Sequence, residues 1–230
     1  MARFMPTLLH ASFIALALAL ALALPVPAGA TGPAAAPRAI RVLALGDSLT
    51  EGYGVAQTQA YPALLEQALQ ARTGREVRVI NAGIGGSTSA SALSRIRWHL
   101  RAKPDLVVLA LGANDMLRGL SPESCEKNLD QALALLSEHS IPAVLAGMRV
   151  PPNYGADYRR RFEAIYPRLA ARHRVPIIPF LLEGVAGSRE LNQEDGIHPN
   201  EKGHQTMART VLPWVEHWIA SQKQPLPENR

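Results

Sequence analysis

The stretch Ala39-Ile40-Arg41-Val42-Leu43-Ala44-Leu45-Gly46-Asp47-Ser48-Leu49-Thr50-Glu51-Gly52 reads as a largely apolar run through Leu45 followed by turn residues. It leads into Tyr61 to Arg72, where Leu64, Leu65, Ala68 and Leu69 fall on one helical face. Strand, loop and helix form the unit, and the unit recurs. Val77 to Ile80 precedes a helix near Ala90 to Arg101, Leu106 to Leu111 precedes Pro122 to Glu138, and Ala143 to Ala146 precedes Ala156 to Arg172. A fifth short run, Val175 to Pro179, comes before a long loop and a helix over Lys202 to Ile219. Near-continuous apolar strands separated by helices predict a parallel sheet of roughly five strands covered on both faces, a three-layer α/β domain with right-handed crossovers. In such sheets ligands bind outside the carboxyl ends of the strands, so the loops that follow the strands are where chemistry is sought.

The rest of the composition narrows the class. The 230 residues carry 24 Lys plus Arg against 19 Asp plus Glu, with 47% hydrophobic residues and one cysteine. This balance suits one globular domain and excludes a disordered chain, a disulfide mini-protein and a basic nucleic-acid tail. Arg159, Arg160 and Arg161 are the tightest basic cluster, best read as a solvated helix face; no nucleic-acid partner is expected. Cys125 has no partner for an internal disulfide and reads as a half-buried helix residue. At the N-terminus, Arg3, the apolar run Phe13 to Leu24, and Pro25, Pro27 and Ala28-Gly29-Ala30 form the three regions of a signal peptide cleaved after Ala30. The run is too short for a membrane anchor, which needs roughly 20 apolar residues. Residues 1–30 are therefore read as a signal peptide and 31–230 as one domain, exported with no stable membrane span after cleavage. The tail Gln222 to Arg230 is expected to fray. With no exposed heptad or long apolar face, a monomer is the default.

Four loops supply reactive groups. Ser48 lies just past a buried strand, where it serves either as a helix N-cap or as an exposed hydroxyl. A G-x-S-x-G elbow is not met, since Thr50 stands where its second glycine would be, and no P-loop or dinucleotide fingerprint is present. The loop Asn81-Ala82-Gly83-Ile84-Gly85-Gly86-Ser87-Thr88 is either a plain turn or one that aims backbone N–H groups at a ligand. Gly112-Ala113-Asn114-Asp115 puts an amide donor at the same edge, although Asn there is often a turn residue. In Asp195-Gly196-Ile197-His198-Pro199-Asn200 the carboxylate is three residues before a histidine and can hold its Nδ1, leaving Nε2 as a base. A metal site with His204 as a further ligand competes, but no second cluster of ligands supports it. His99, His139, His173 and His217 fall in predicted helices as surface or partly buried residues. A hydroxyl, a glycine-bearing turn, an amide and an Asp/His pair at one sheet edge are the parts that acyl transfer requires.

These blocks, in this order, resemble the SGNH, or GDSL-type, hydrolases: Ser48 in Gly46-Asp47-Ser48-Leu49, Gly86, Asn114, and His198 in the Asp195 to Pro199 block. The resemblance runs from about Ile40 to about Ala220. It is similar more narrowly to the exported thioesterase I/lysophospholipase L1 and arylesterase branch through Leu111 to Gly119, Arg149 to Gly155 and Ala164 to Pro167. The resemblance implies a flavodoxin-like α/β/α fold, Ser48 as nucleophile, His198 as general base and acid, and Asp195 as its orienter. It also implies an oxyanion hole from the backbone N–H groups of Ser48 and Gly86 and the Asn114 side chain. It implies a serine esterase acting on small-molecule acyl esters or thioesters (acyl thioesters, lysophospholipids, aryl esters) without a cofactor or metal, in a periplasmic setting. Ser87 departs from the family, whose close relatives carry an acidic residue there. Activity should rise with pH through an apparent pKa near roughly 6.5, that of the neutral base. The loops Leu117 to Leu120 and Val150 to Tyr154 are expected to receive an acyl chain. The rival readings are a carbohydrate O-acetylesterase of the same family and a non-catalytic flavodoxin-like binding module.

Overall fold

The computed structural model describes residues 38–222; the signal-peptide reading of residues 1–30 and all but the first residue of the C-terminal tail lie outside them. Five strands form one parallel sheet: β1 (Ile40–Gly46), β2 (Val77–Gly83), β3 (Leu106–Ala110), β4 (Ala143–Ala146) and β5 (Ile177–Ile178). Their spatial order is β2-β1-β3-β4-β5, so the chain first turns to one side of β1 and then crosses to the other. The order reverses between β1 and β3, which opens a crevice at their carboxyl ends.

Apolar patterning decides the layers. Every residue of the central β3 and of β4 is buried, and β1 is buried apart from Arg41, because helices cover both faces. Helix α1 (Ser48–Glu51) follows β1 directly, then come α2 (Tyr61–Thr73), α3 (Ala92–His99) and α4 (Ala113–Leu117). They are followed by α5 (Pro122–Glu138), α6 (Ala156–Glu163), α7 (Ile165–His173) and α8 (Glu201–Ser221). Leu65 and Leu69 of α2 are fully buried where it packs on α8, while Ile96, Leu129 and Leu169 are buried in the group formed by α3, α5 and α7. At about 25 cal/mol per Å² of apolar surface, each such side chain contributes roughly 1.5–3 kcal/mol on transfer from water.

Four expectations are corrected. The single helix over Ala156 to Arg172 is two helices interrupted at Ala164. Pro167 has no N–H to give the Glu163 carbonyl and its ring crowds that carbonyl, which ends α6. Strand β2 continues three residues past Ile80, because an edge strand tolerates the exposed Asn81. Strand β5 is only two residues long, bounded closely by Pro176 and Pro179, which cannot donate to a ladder. Cys125 is fully buried rather than half-buried, on the face of α5 turned to the core.

Two glycines bring the post-strand loops close to the sheet edge. A Cβ at Gly83 would overlap the backbone of Glu51, so only glycine lets the end of β2 lie against α1. Gly112 has φ +122°, and a side chain there would also strike the Tyr166 hydroxyl.

Candidate active site

The end of β1 delivers Asp47 and Ser48 to the crevice. Asp47, with no solvent exposure, is the N-cap of α1: its Oδ1 accepts the Leu49 backbone N–H at 3.0 Å. The capping role that serine often fills therefore belongs to its neighbour, and the Ser48 hydroxyl faces His198 instead, with Oγ and Nε2 3.0 Å apart. Burial pushes the Asp47 carboxyl up to about 6, against the hydrogen bonds that favour its charged form. Thr50, at the place of the missing elbow glycine, points inward and meets the Tyr61 hydroxyl at 3.1 Å.

The loop before α8 carries the second half of the pair. Asp195 Oδ1 accepts the backbone N–H groups of Ile197 and His198, each at 3.0 Å, and Oδ2 lies 2.6 Å from His198 Nδ1. The His198 backbone N–H and ring together hold the Asp195 carboxyl down to about 2. One carboxylate thus closes the turn and fixes the imidazole, so that the proton on Nδ1 leaves Nε2 unprotonated toward Ser48. The loop is anchored on both sides: Asn200 caps α8 by accepting the Gly203 N–H at 3.1 Å, and the Gln193 amide donates to the carbonyls of Tyr53 and Pro199 at 2.7 and 3.0 Å. The Tyr53 ring lies tilted at 41° against the His198 ring, with centroids 4.6 Å apart.

Asn114 rises from the first turn of α4, half-buried, and its Nδ2 lies 3.4 Å from Asp47 Oδ2. The next residue, Asp115, is buried and accepts the Ser89 N–H and hydroxyl at 2.7 and 2.6 Å, which ties the glycine-rich loop to α4. Gly86 sits on the exposed part of that loop with φ +72°, and the Arg118 guanidinium donates to its carbonyl at 2.8 Å. The Arg95 guanidinium donates to the carbonyls of Gly46 and Ala82, joining the ends of β1 and β2, and desolvation lowers its pKa.

Ser48, Asn114 and His198 open on one cavity of about 470 Å³, with Asp47 in its wall. Leu49, Met116, Leu117, Met148, Val150 and Leu182 make most of the remaining lining apolar, while Asp195 stands behind His198 and Gly86 does not line it. Leu117, Val150, Pro151 and Pro152 belong to the two loops expected at the pocket mouth; Leu120 and Tyr154 lie outside the lining. His204, the candidate metal ligand, is buried between α2 and α8, where its Nδ1 accepts the Tyr61 N–H at 3.3 Å and burial lowers its pKa to about 4. Among the described residues no three His, Cys, Asp or Glu side chains converge as a metal site. Asp47, Arg95, Arg118 and Gln193 were not singled out from sequence; of these, the only signal was the place of Asp47 immediately before Ser48.

A hydroxyl, an imidazole and a carboxylate in line, at the mouth of an apolar cavity on a doubly wound sheet, define a hydrolase of the α/β class that works on acyl bonds. Comparison with known proteins gives the family. A profile described as the GDSL-like Lipase/Acylhydrolase family matches residues 44–206. The chain is 40% identical over 186 residues to the thioesterase 1/protease 1/lysophospholipase L1 of Escherichia coli (strain K12), covering 80% of this chain and 84% of the relative. It is 37% identical to an arylesterase of Vibrio mimicus, over 82% and 90% of the two chains. The crystal structure of TesA superposes with a TM-score of 0.72 at 37% identity, over 76% of this chain and 97% of the other. The chain belongs to the GDSL-like lipase/acylhydrolase family and is an ester-bond hydrolase.

Proposed function

We propose that the protein hydrolyses carboxylic esters and thioesters of medium to long acyl chains through an acyl-enzyme on Ser48. The observation that carries this reading is the chain of contacts from Asp195 through His198 to Ser48, 2.6 and 3.0 Å, opening on the apolar cavity. His198 Nε2 takes the hydroxyl proton as Ser48 Oγ attacks the acyl carbon. The carbonyl oxygen becomes an oxyanion, which the backbone N–H groups of Ser48 and Gly86 and the Asn114 amide would meet. Collapse expels the alcohol or thiol, protonated by His198, and water activated by the same imidazole then releases the acid. Asp195 keeps the ring in the required tautomer and stabilises the imidazolium.

Thioesters, lysophospholipids and aryl esters are the substrate classes that the named relatives suggest. An acetyl group would occupy a small part of the cavity, so a longer chain is favoured over the carbohydrate O-acetylesterase reading. Hydrolysis of p-nitrophenyl esters from two to twelve acyl carbons, by wild type and Ser48→Ala in parallel, tests both points. Ser48-dependent activity peaking at medium or long chains supports the proposal, a peak at acetyl supports polymer deacetylation, and full activity in Ser48→Ala refutes the mechanism. We also read residues 1–30 as a signal peptide and the mature chain as a periplasmic monomer; N-terminal sequencing of the exported protein and its sedimentation check these. No helix among the described residues is long and apolar enough to cross a membrane.

A further inference from the structure

We propose that Asp47 is a positioning residue of the oxyanion site: its buried carboxylate holds the Asn114 amide with Nδ2 turned toward the carbonyl oxygen that Ser48 attacks. The inference rests on the acyl-transfer reading above.

The two ends of an asparagine amide have nearly the same shape but opposite hydrogen-bonding character, so an oxyanion is stabilised by one orientation and repelled by the other. Something next to Asn114 has to choose between them. A carboxylate can do so because, when ionised, it only accepts hydrogen bonds. Asp47 Oδ1 is committed to the Leu49 N–H at 3.0 Å, which leaves Oδ2 facing Asn114 Nδ2 at 3.4 Å. That separation is long for a hydrogen bond, as catalytic contacts often are before substrate arrives. One Nδ2 hydrogen is thereby turned to Asp47 while the second remains for the substrate.

Capping α1 does not account for a buried charge. Serine or asparagine caps a helix as well as aspartate does, without the cost of desolvating a carboxylate that has no exposure. The property that aspartate adds is an acceptor-only face toward Asn114. Asp47→Asn removes this property while preserving size and cap: the new side chain would keep Oδ1 on the Leu49 N–H and set its own Nδ2 against that of Asn114. Rotation of the Asn114 amide relieves the clash between donors but turns an oxygen toward the oxyanion.

The test is a double-mutant cycle on p-nitrophenyl octanoate, with Ser48→Ala as control and with thermal melting to verify that each variant is folded. Asp47→Asn is expected to lower kcat by about 10²–10³, as loss of one oxyanion donor does elsewhere, with KM within about threefold of wild type. In an Asn114→Ala background the same substitution is expected to cost less than about threefold, because the group it positions is gone. Asp47→Ser, which keeps a capping oxygen but has no second acceptor for Asn114, carries the same expectation and serves if Asp47→Asn does not fold. Near-wild-type kcat in the folded Asp47 variants, or an equal loss in both backgrounds, overturns the inference. If Ser48→Ala itself retains activity, the acyl-transfer reading has failed instead.

Discussion

Two buried titratable groups shifted in opposite directions give the fold a pH dependence that single substitutions should unmask. Burial raises Asp47 from the ordinary 3.8 to about 6, so between those values the folded chain holds more protons than the unfolded one. Its contribution to stability is full below 3.8 and is lost as pH rises through 6. His204 is the reverse case: burial lowers it from 6.5 to about 4, and protonation would set an N–H against the Tyr61 N–H that its Nδ1 now accepts. Its contribution is present above 6.5 and is lost as pH falls through 4. Each pKa unit is worth about 1.4 kcal/mol, so going from pH 6.5 to 4.5 Asp47 adds about 2 kcal/mol and His204 removes about 2 kcal/mol. In the wild type these two contributions therefore nearly cancel over this interval. His204→Gln, which can still accept the Tyr61 N–H, should become more stable on acidification by about 2 kcal/mol. Asp47→Asn should become less stable by about 2 kcal/mol. Urea unfolding followed by circular dichroism resolves this divergence, which amounts to about 2 M in midpoint at ordinary slopes. The interval stops above the range in which Asp195, held down to about 2, begins to lose its own contribution. If both variants run parallel to wild type, the assignment of these protons to Asp47 and His204 is refuted.

Three further outcomes follow from the site and its walls. Asn114→Ala should lower kcat by about 10²–10³ while leaving the melting profile close to wild type, since the side chain is half-buried and packs little of the core; unchanged turnover in the folded variant would remove it from the site. Ala186→Trp adds a large side chain at an exposed position lining the cavity and should move the chain-length optimum toward shorter esters; an unchanged p-nitrophenyl ester profile would place the acyl chain elsewhere. Gly83→Ala forces a methyl group into the Glu51 backbone and should destabilise the domain by about 1–3 kcal/mol or more, with activity falling as the loop withdraws; a wild-type urea midpoint would contradict the close approach of β2 to α1.

Much of the fold is legible along the chain because strands and helices are short-range patterns. The apolar runs at Ile40, Leu106 and Ala143, and the helical spacing of Leu65 and Leu69, mark their elements from neighbouring residues alone. The break in the last crossover helix was also written locally, in Pro167, although its periodicity masked it. The Asp195–His198 contact belongs to the same local class, since a turn of three residues closes it through the carboxylate's own backbone hydrogen bonds. The strand order and the meeting of Ser48 with His198, 150 residues apart in the chain, do not, because they arise from the way crossovers stack the sheet. Family resemblance could suggest that meeting, but periodicity could not. The supporting residues were the least legible: whether Asp47 caps, Arg95 ties two strand ends or Arg118 grips the Gly86 carbonyl depends on which atoms lie opposite and how much water reaches them. Hydrogen bonding and desolvation act through space, so those roles, and the shape of the cavity that would admit an acyl chain, exist only once the loops are packed together.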